Sequence, residues 1–379
     1  MTLSARRMPA ALSCLLAAIA VPSLSQAQTA PTGSLDADDR ARVEAEAAET
    51  DAAAFPRLVW GLAAEVQNDL TFSSTDPAAE LNDLFPTVGA ALGLEVREGV
   101  GLYAGLVLEP VLDPSGDRAF EDLGLYAEEL YLGAQAFGAA FVAGKFNPAF
   151  GLAWDAAPGI YGRDFAEDYE LTERLGGAVS LPIPGVEDGP FLTLSAFIAD
   201  DTVLSESLLE NRGRTRRADG GASNDDAPSF AAALEGELRS GLGYVVGARW
   251  QQAGRGDADD EVGVSGGLTY GFELAGGEVE GVAELAWFDN LAAGPADVLY
   301  GTLGGAYATG PWTFSAVYAL REAEAAPMDH LLTASVEYAL TDEVVAAVGY
   351  RFGEEGGETS HTAGLLLVVE FGGAVPLRR

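Results

Sequence analysis

A transmembrane, up-and-down antiparallel β-barrel of about 16 strands is the fold this all-β sequence predicts, on three observations. About 16 short segments of alternating apolar and polar residues run from Arg57 to Phe371. The gaps between them alternate in length. Short gaps fall at Glu98-Gly99, Gly133 to Ala136, Ser240-Gly241, Ala275 to Gly277, Thr309-Gly310 and Thr341-Asp342. Long gaps fall at Thr71 to Pro86, Asp113 to Asp122, Pro148 to Arg174 and Asp200 to Pro228, followed by four of moderate length ending near Glu358. Each segment also has one apolar face and one face of small and polar residues. Successive turns of an up-and-down barrel lie on alternate rims, and membrane barrels keep short turns on the periplasmic side and long loops outside. A sandwich has no reason to sort its loops by parity.

The faces follow from the period of two, because successive strand side chains point to opposite sides. In the last segment Ala363, Leu365, Leu367, Val369 and Phe371 point one way, and Thr362, Gly364, Leu366, Val368 and Glu370 the other. The same division sets Leu242, Tyr244, Val246, Ala248 and Trp250 against Gly243, Val245, Gly247, Arg249 and Gln251. It also sets Trp312, Phe314, Ala316, Tyr318 and Leu320 against Thr313, Ser315, Val317, Ala319 and Arg321. Glycine recurs on the mixed face, which suits a curved wall around a wide lumen. Aromatics such as Trp60, Trp250, Trp287, Trp312, Tyr338, Tyr350 and Phe371 gather near segment ends, as in the girdles at membrane interfaces. Sixteen strands leave a water-filled channel, whereas eight do not.

Residues 1–27 read as a signal peptide: Arg6 and Arg7 precede the apolar stretch Met8 to Val21, and Ser25-Gln26-Ala27 is a small-x-small cleavage site. Cys14, the single cysteine, lies inside it, so the mature chain is expected to hold no disulfide and no thiolate metal site. Without Arg6 and Arg7 the formal charge of −37 becomes about −39, which excludes nucleic acid as a partner. Residues 28–56, rich in Ala, Glu and Asp, form a periplasmic segment that is either a short helix or a disordered tail. Residues 57–371 are the barrel and 372–379 a C-terminal tail.

The stretch Gly144-Lys145-Phe146-Asn147-Pro148-Ala149-Phe150-Gly151 resembles the GKF-x-P-x-FG element of phosphate-selective and siderophore-type porins of Gram-negative outer membranes. The run from Asn211 to Gly221 resembles an outer-loop sequence of a porin-like group. The resemblance implies an outer-membrane channel for small hydrophilic solutes, embedded in lipid and lipopolysaccharide. It further implies a homotrimer, although no trimer motif is legible. In such barrels a terminal aromatic ends the final strand; Phe371 is the equivalent here, with Gly372 to Arg379 following it.

In general porins the third outer loop folds into the lumen, and the resemblance implies the same for Pro148 to Arg174. That loop would place Asp155, Asp164, Glu167, Asp168, Glu170 and Glu173 at a constriction, facing Lys145, Arg249, Arg321 and Arg351 on the pore wall. Low-dielectric walls focus such a field on passing ions. Inner-face carboxylates at Glu65, Glu95, Glu109, Glu129, Glu235, Glu237, Glu273, Glu280, Glu284 and Glu337 outnumber inner-face bases, which favours cations and weighs against phosphate selectivity. Arg212, Arg214, Arg216 and Arg217 form the one basic cluster, in the fourth outer loop. They offer an alternative reading as the binding site of a substrate-specific uptake porin for a siderophore or other anionic chelate. A barrel enzyme is the remote alternative. Only His330, beside Asp329, and His361, beside Ser360 and Thr362, are present, and neighbours on a strand face opposite ways, so Ser360 and His361 cannot form a dyad directly. No cofactor loop and no metal-ligand spacing is present, so no cofactor or metal is expected.

Overall fold

A computed structural model describes residues 55–183, 189–238 and 241–377. The signal peptide and nearly all of the periplasmic segment lie outside the described residues. The barrel strands are β1 (Arg57–Ser74), β2 (Asn82–Arg97), β3 (Val100–Pro110), β4 (Leu123–Ala136), β5 (Ala139–Phe146), β6 (Arg174–Pro182), β7 (Phe191–Ala199) and β8 (Ser229–Leu238). The circuit continues with β9 (Leu242–Gln251), β10 (Glu261–Leu274), β11 (Gly277–Asp289), β12 (Val298–Thr309), β13 (Trp312–Ala323), β14 (Asp329–Ala339), β15 (Val344–Glu355) and β16 (Glu358–Pro376). Each strand pairs antiparallel with the next, and β16 pairs with β1 from Arg57–Pro376 to Ser74–Ser360. Closure leaves no sheet edge, so every strand finds backbone partners on both sides, which a spanning segment requires in hydrocarbon. Among the described residues no helix is long and apolar enough to cross a membrane.

The period-two faces hold. Leu365 and Leu367 are 58% and 42% exposed on the outer wall, whereas Thr362 on the inner series is 4% exposed. The final strand runs past Phe371: Gly372 to Pro376 pair with Gly61 to Arg57 and belong to the barrel, not to a tail. The last outer gap, expected to be of moderate length, is the two-residue turn Gly356-Gly357. Both glycines have positive φ (61° and 84°), the conformation that closes a tight hairpin. The first long gap narrows to residues 75–81 because β1 and β2 extend toward each other. The turn expected at Gly133 to Ala136 sits instead at Phe137-Gly138.

One local irregularity changes the inner face. The pairing of β3 with β4 slips between Gly105–Glu129 and Leu106–Ala127, leaving Glu128 as the extra residue of a bulge. Glu128 is consequently buried at 2% exposure, and it joins Glu129 on the lumen side. A strict alternation turns only Glu129 inward.

Candidate functional site

The third long loop, residues 147–173, crosses the interior. Its start is built by the GKFNPAFG stretch. Gly144 has φ 145°, and an added Cβ would lie 2.4 Å from the Leu130 carbonyl, so the loop can leave β5 only with glycine there. Asn147 donates to Glu128 (3.0 Å) and accepts from the Glu173 backbone (2.8 Å), bridging the two ends of the loop. Phe150 then packs against the Tyr169 and Phe288 rings, with Tyr300 against Tyr169, in a buried apolar cluster that includes Trp154, Phe165 and Leu171. The loop thus has its own apolar core against the inner faces of β8 and β11 to β14, through Ala231, Ala286, Phe288, Tyr300, Ala319 and Leu331. A one-turn helix, α1 (Ala153–Ala156), follows Phe150.

Polar contacts fix the loop to the far wall. The Ile160 backbone donates to Ser335 on β14 (3.0 Å), and the Tyr161 hydroxyl donates to Asp69 on β1 (2.6 Å). Tyr161 is seated over Gly364 on β16, where a Cβ would lie 2.1 Å from the phenol oxygen. Glu284 on β11 accepts from the backbone of Leu152 and Ala153 and from the Tyr169 hydroxyl.

The charged residues singled out in the sequence come together, but in contact and not separated across an open channel. Arg351 donates to Asp164 (2.7 Å) and Arg321 to Asp168 (2.6 Å), which also accepts from Tyr300 (3.0 Å). Lys145, 1% exposed, pairs with Glu173 (2.9 Å) and Asp200 (2.8 Å). Arg249 lies over the faces of both Phe150 and Phe288, bonds Glu261 (2.6 Å) and donates to the Tyr169 carbonyl. Glu167 lines the cavity at the long-loop mouth. Asp155 lies in α1 beside Arg163; burial raises its carboxyl, with Arg163 opposing. Burial and the like charges of Asp155 and Glu284 push Glu170 well above the usual carboxylate range.

The basic run of the fourth loop divides. Arg212 turns inward, forks onto Glu173 (2.7 Å from one nitrogen) and stacks 3.7 Å over the Tyr126 ring. Arg214 donates to the Asp201 carbonyl (2.9 Å) and Arg217 pairs with Asp201 (2.8 Å) and Asp226. Arg216 contributes its carbonyl to Asn224. The mouth holds a cavity of about 810 Å³. Eight carboxylates line it (Asp69, Asp76, Asp83, Asp113, Asp164, Glu167, Asp168 and Glu355) against four guanidinium groups (Arg118, Arg212, Arg321 and Arg351). The sequence reading missed Asp69, Asp83, Arg118 and Tyr161. Asp83 and Arg118 fall in stretches read as long gaps, Asp69 shares the inner series of Glu65 but was not singled out, and Tyr161 carries no charge to mark it. His330 and His361 bond to Tyr318 (2.8 Å) and Tyr350 (2.7 Å). Asp329 instead joins Arg321, and Ser360 lies within reach of Arg351. Among the described residues no group of three or more His, Cys, Asp or Glu is placed to hold a metal ion.

The architecture is therefore that of a closed 16-strand antiparallel barrel with a loop folded into its lumen. Solved structures share this fold. OprB of Pseudomonas putida superposes with a TM-score of 0.61 at 9% identity, over 88% of this chain and 97% of that one. A mutant of the Rh. blastica porin gives 0.52 at 18% identity, over 83% and 100%. OmpT, an outer membrane protein of Vibrio cholerae, compared as a loop-deletion mutant, gives 0.53 at 12% identity, over 83% and 100%. No family model and no curated protein matches the sequence.

Proposed function

We propose that this chain is an outer-membrane porin: a passive channel for small hydrophilic solutes, narrowed by residues 147–173, that prefers cations and is not an enzyme. The observation that carries the reading is the inward loop itself. It is held from β9 round to β1, and the remaining mouth is lined by twice as many carboxylates as guanidinium groups. The pairing of Asp164 and Asp168 with arginines tempers their field, so the unequal count along the whole cavity sets the sign. Two unit charges about 4 Å apart interact by roughly 4 kcal/mol at an effective dielectric of 20, so a net excess of carboxylates over guanidinium groups biases ion entry. The fold shared with the Rh. blastica porin supports the channel reading. Outer-membrane lipid and lipopolysaccharide as surroundings, and a homotrimer as assembly, belong to the same proposal.

Neutralising Asp164, Glu167, Asp168 and Glu170 together tests this reading in planar bilayers. The reversal potential in a salt gradient is expected to move toward anions, and its salt dependence to flatten as the charges that salt screens disappear. Unchanged selectivity would place the loop outside the permeation path. A second reading, uptake of an anionic chelate, draws on Arg212, whose guanidinium borders the cavity. The engagement of Arg212 by Glu173 and of Arg217 by Asp201 and Asp226 makes it the lesser reading.

A further inference from the structure

Glu284 sits mid-strand on β11, opposite Gly267 on β10 and Thr302 on β12, and is 3% exposed. Nothing in its own strand distinguishes it from the other inner-face glutamates. Its surroundings do. One oxygen accepts from the Leu152 backbone, and the other accepts from the Ala153 backbone (3.2 Å) and the Tyr169 hydroxyl (2.5 Å). Leu152 and Ala153 begin α1, whose N-cap residue supplies no side-chain acceptor. The wall carboxylate therefore does what a capping side chain does, satisfying amides that the first helical turn leaves without partners.

The neighbouring backbone makes room for it. Gly151 has φ 80°, and a Cβ there would lie 3.3 Å from a Glu284 oxygen; a Cβ on Gly267 would lie 2.6 Å from Leu152. Tyr169 is gripped twice, by Glu284 at its hydroxyl and by Arg249 at its carbonyl. Leu152 and Tyr169 flank the part of the loop that carries Asp155, Asp164, Glu167 and Asp168. One carboxylate thus joins the descending and returning arms of the loop to one strand.

We infer that Glu284 is a positioning residue of the pore: by clamping Leu152, Ala153 and Tyr169 together, its carboxylate fixes how far residues 152–169 stand from the wall and so sets the calibre of the channel. The inference rests on the proposed function, in which that loop narrows the lumen. Its two oxygens accept three hydrogen bonds, so the clamp needs both acceptors held at full reach.

Two near-isosteric variants separate reach from charge in single-channel recordings, with heat-modifiable gel migration confirming the folded barrel. Glu284→Asp keeps the charge but withdraws the oxygens by one methylene, and should give a noisier channel with conductance raised on the order of twofold, because the freed loop samples a wider lumen. Glu284→Gln keeps the reach but turns one accepting oxygen into an NH2 that faces a donor, so it should loosen the loop in part, with the reversal potential near the parent's. The reverse order, with Gln shifting the reversal potential and Asp behaving as parent, would make Glu284 a contributor to the field and overturn the inference. Parental behaviour of both variants would overturn it too. If Asp behaves as parent while the four-carboxylate variant of the loop still shifts selectivity, the clamp alone fails. If the four-carboxylate variant is silent as well, the pore reading fails with it.

Discussion

The hydroxyl of Tyr161 donates a 2.6 Å hydrogen bond to Asp69, joining the tip of the inward loop to a strand 92 positions earlier in the chain. Asp69 is in turn contacted by Gln67 (3.0 Å), and the phenol ring lies over the bare backbone of Gly364. Gly364→Ala would place a methyl carbon 2.1 Å from the Tyr161 oxygen. The tip must lift, at a cost of about 1–3 kcal/mol as in other overpacked sites. Current noise in bilayer recordings should rise, while gel migration of the folded barrel should stay parental.

The lipid-facing register makes a depth prediction. Leu367 is exposed on the outer wall at mid-strand, paired with Val66 and Ala346. Leu367→Arg should cost about 2–4 kcal/mol in urea unfolding from lipid vesicles if the side chain meets hydrocarbon. Leu366→Arg, pointing into the lumen, should cost much less. Equal costs would mean that the register is displaced by one residue, which exchanges the faces.

Arg249 and Glu261 form an ion pair with both side chains almost fully enclosed (2% and 1% exposed). Removing one partner of such a pair strands a buried charge. Arg249→Met should destabilise the barrel by roughly 3–5 kcal/mol, and the double variant with Glu261→Gln should recover much of the loss. The same arginine holds Phe150, Phe288 and the Tyr169 carbonyl, so the single variant should also loosen the loop in conductance records.

Glu170 gives the pore a pH dependence of definite sign. Burial, with Asp155 and Glu284 nearby, raises its carboxyl well above the ordinary range, and Asp155 is raised by burial as well. As pH falls through those raised values, negative charge leaves the loop at a pH above the ordinary carboxylate range of about 4. Cation preference should therefore weaken as pH falls through those raised values, above the range in which ordinary carboxylates titrate. A raised carboxyl favours the seated loop in its neutral form, so seating is strongest below the ordinary glutamate value and weakens as pH rises through the raised one. Glu170→Gln should remove part of the pH dependence of the reversal potential. A profile identical to the parent's would show that Glu170 does not titrate in the pore.

How much was legible in the sequence follows from which interactions are local. The outward set of Leu365 and Leu367 and the inward set of Arg249, Arg321 and Arg351 follow from a period of two, which neighbouring residues enforce on any strand. The parity of gap lengths gave the rims, and the count of outer loops, with the resemblance to general porins, pointed to Pro148 to Arg174 as the inward loop. The sequence reading named Glu129 but not Glu128 on the inner face; Glu128 is buried there too because a bulge, created by the mismatch of β4 with β3, inserts one residue and resets the alternation.

By itself, then, the sequence determined the strands, their faces and the acidity of the lumen, since backbone alternation and composition need no distant partner. Tertiary structure alone decided the rest. Arg351 meets Asp164 across 187 residues only because closure of the barrel brings β15 beside the loop tip. Arg212 leaves its basic neighbours because Glu173 and the Tyr126 ring lie within its reach. Gly372 to Pro376 become strand because β1 continues down to Arg57 and offers them backbone partners. In each case the deciding partner is far away in the chain, and the free energy of an unpaired charge or amide in a closed barrel selects it.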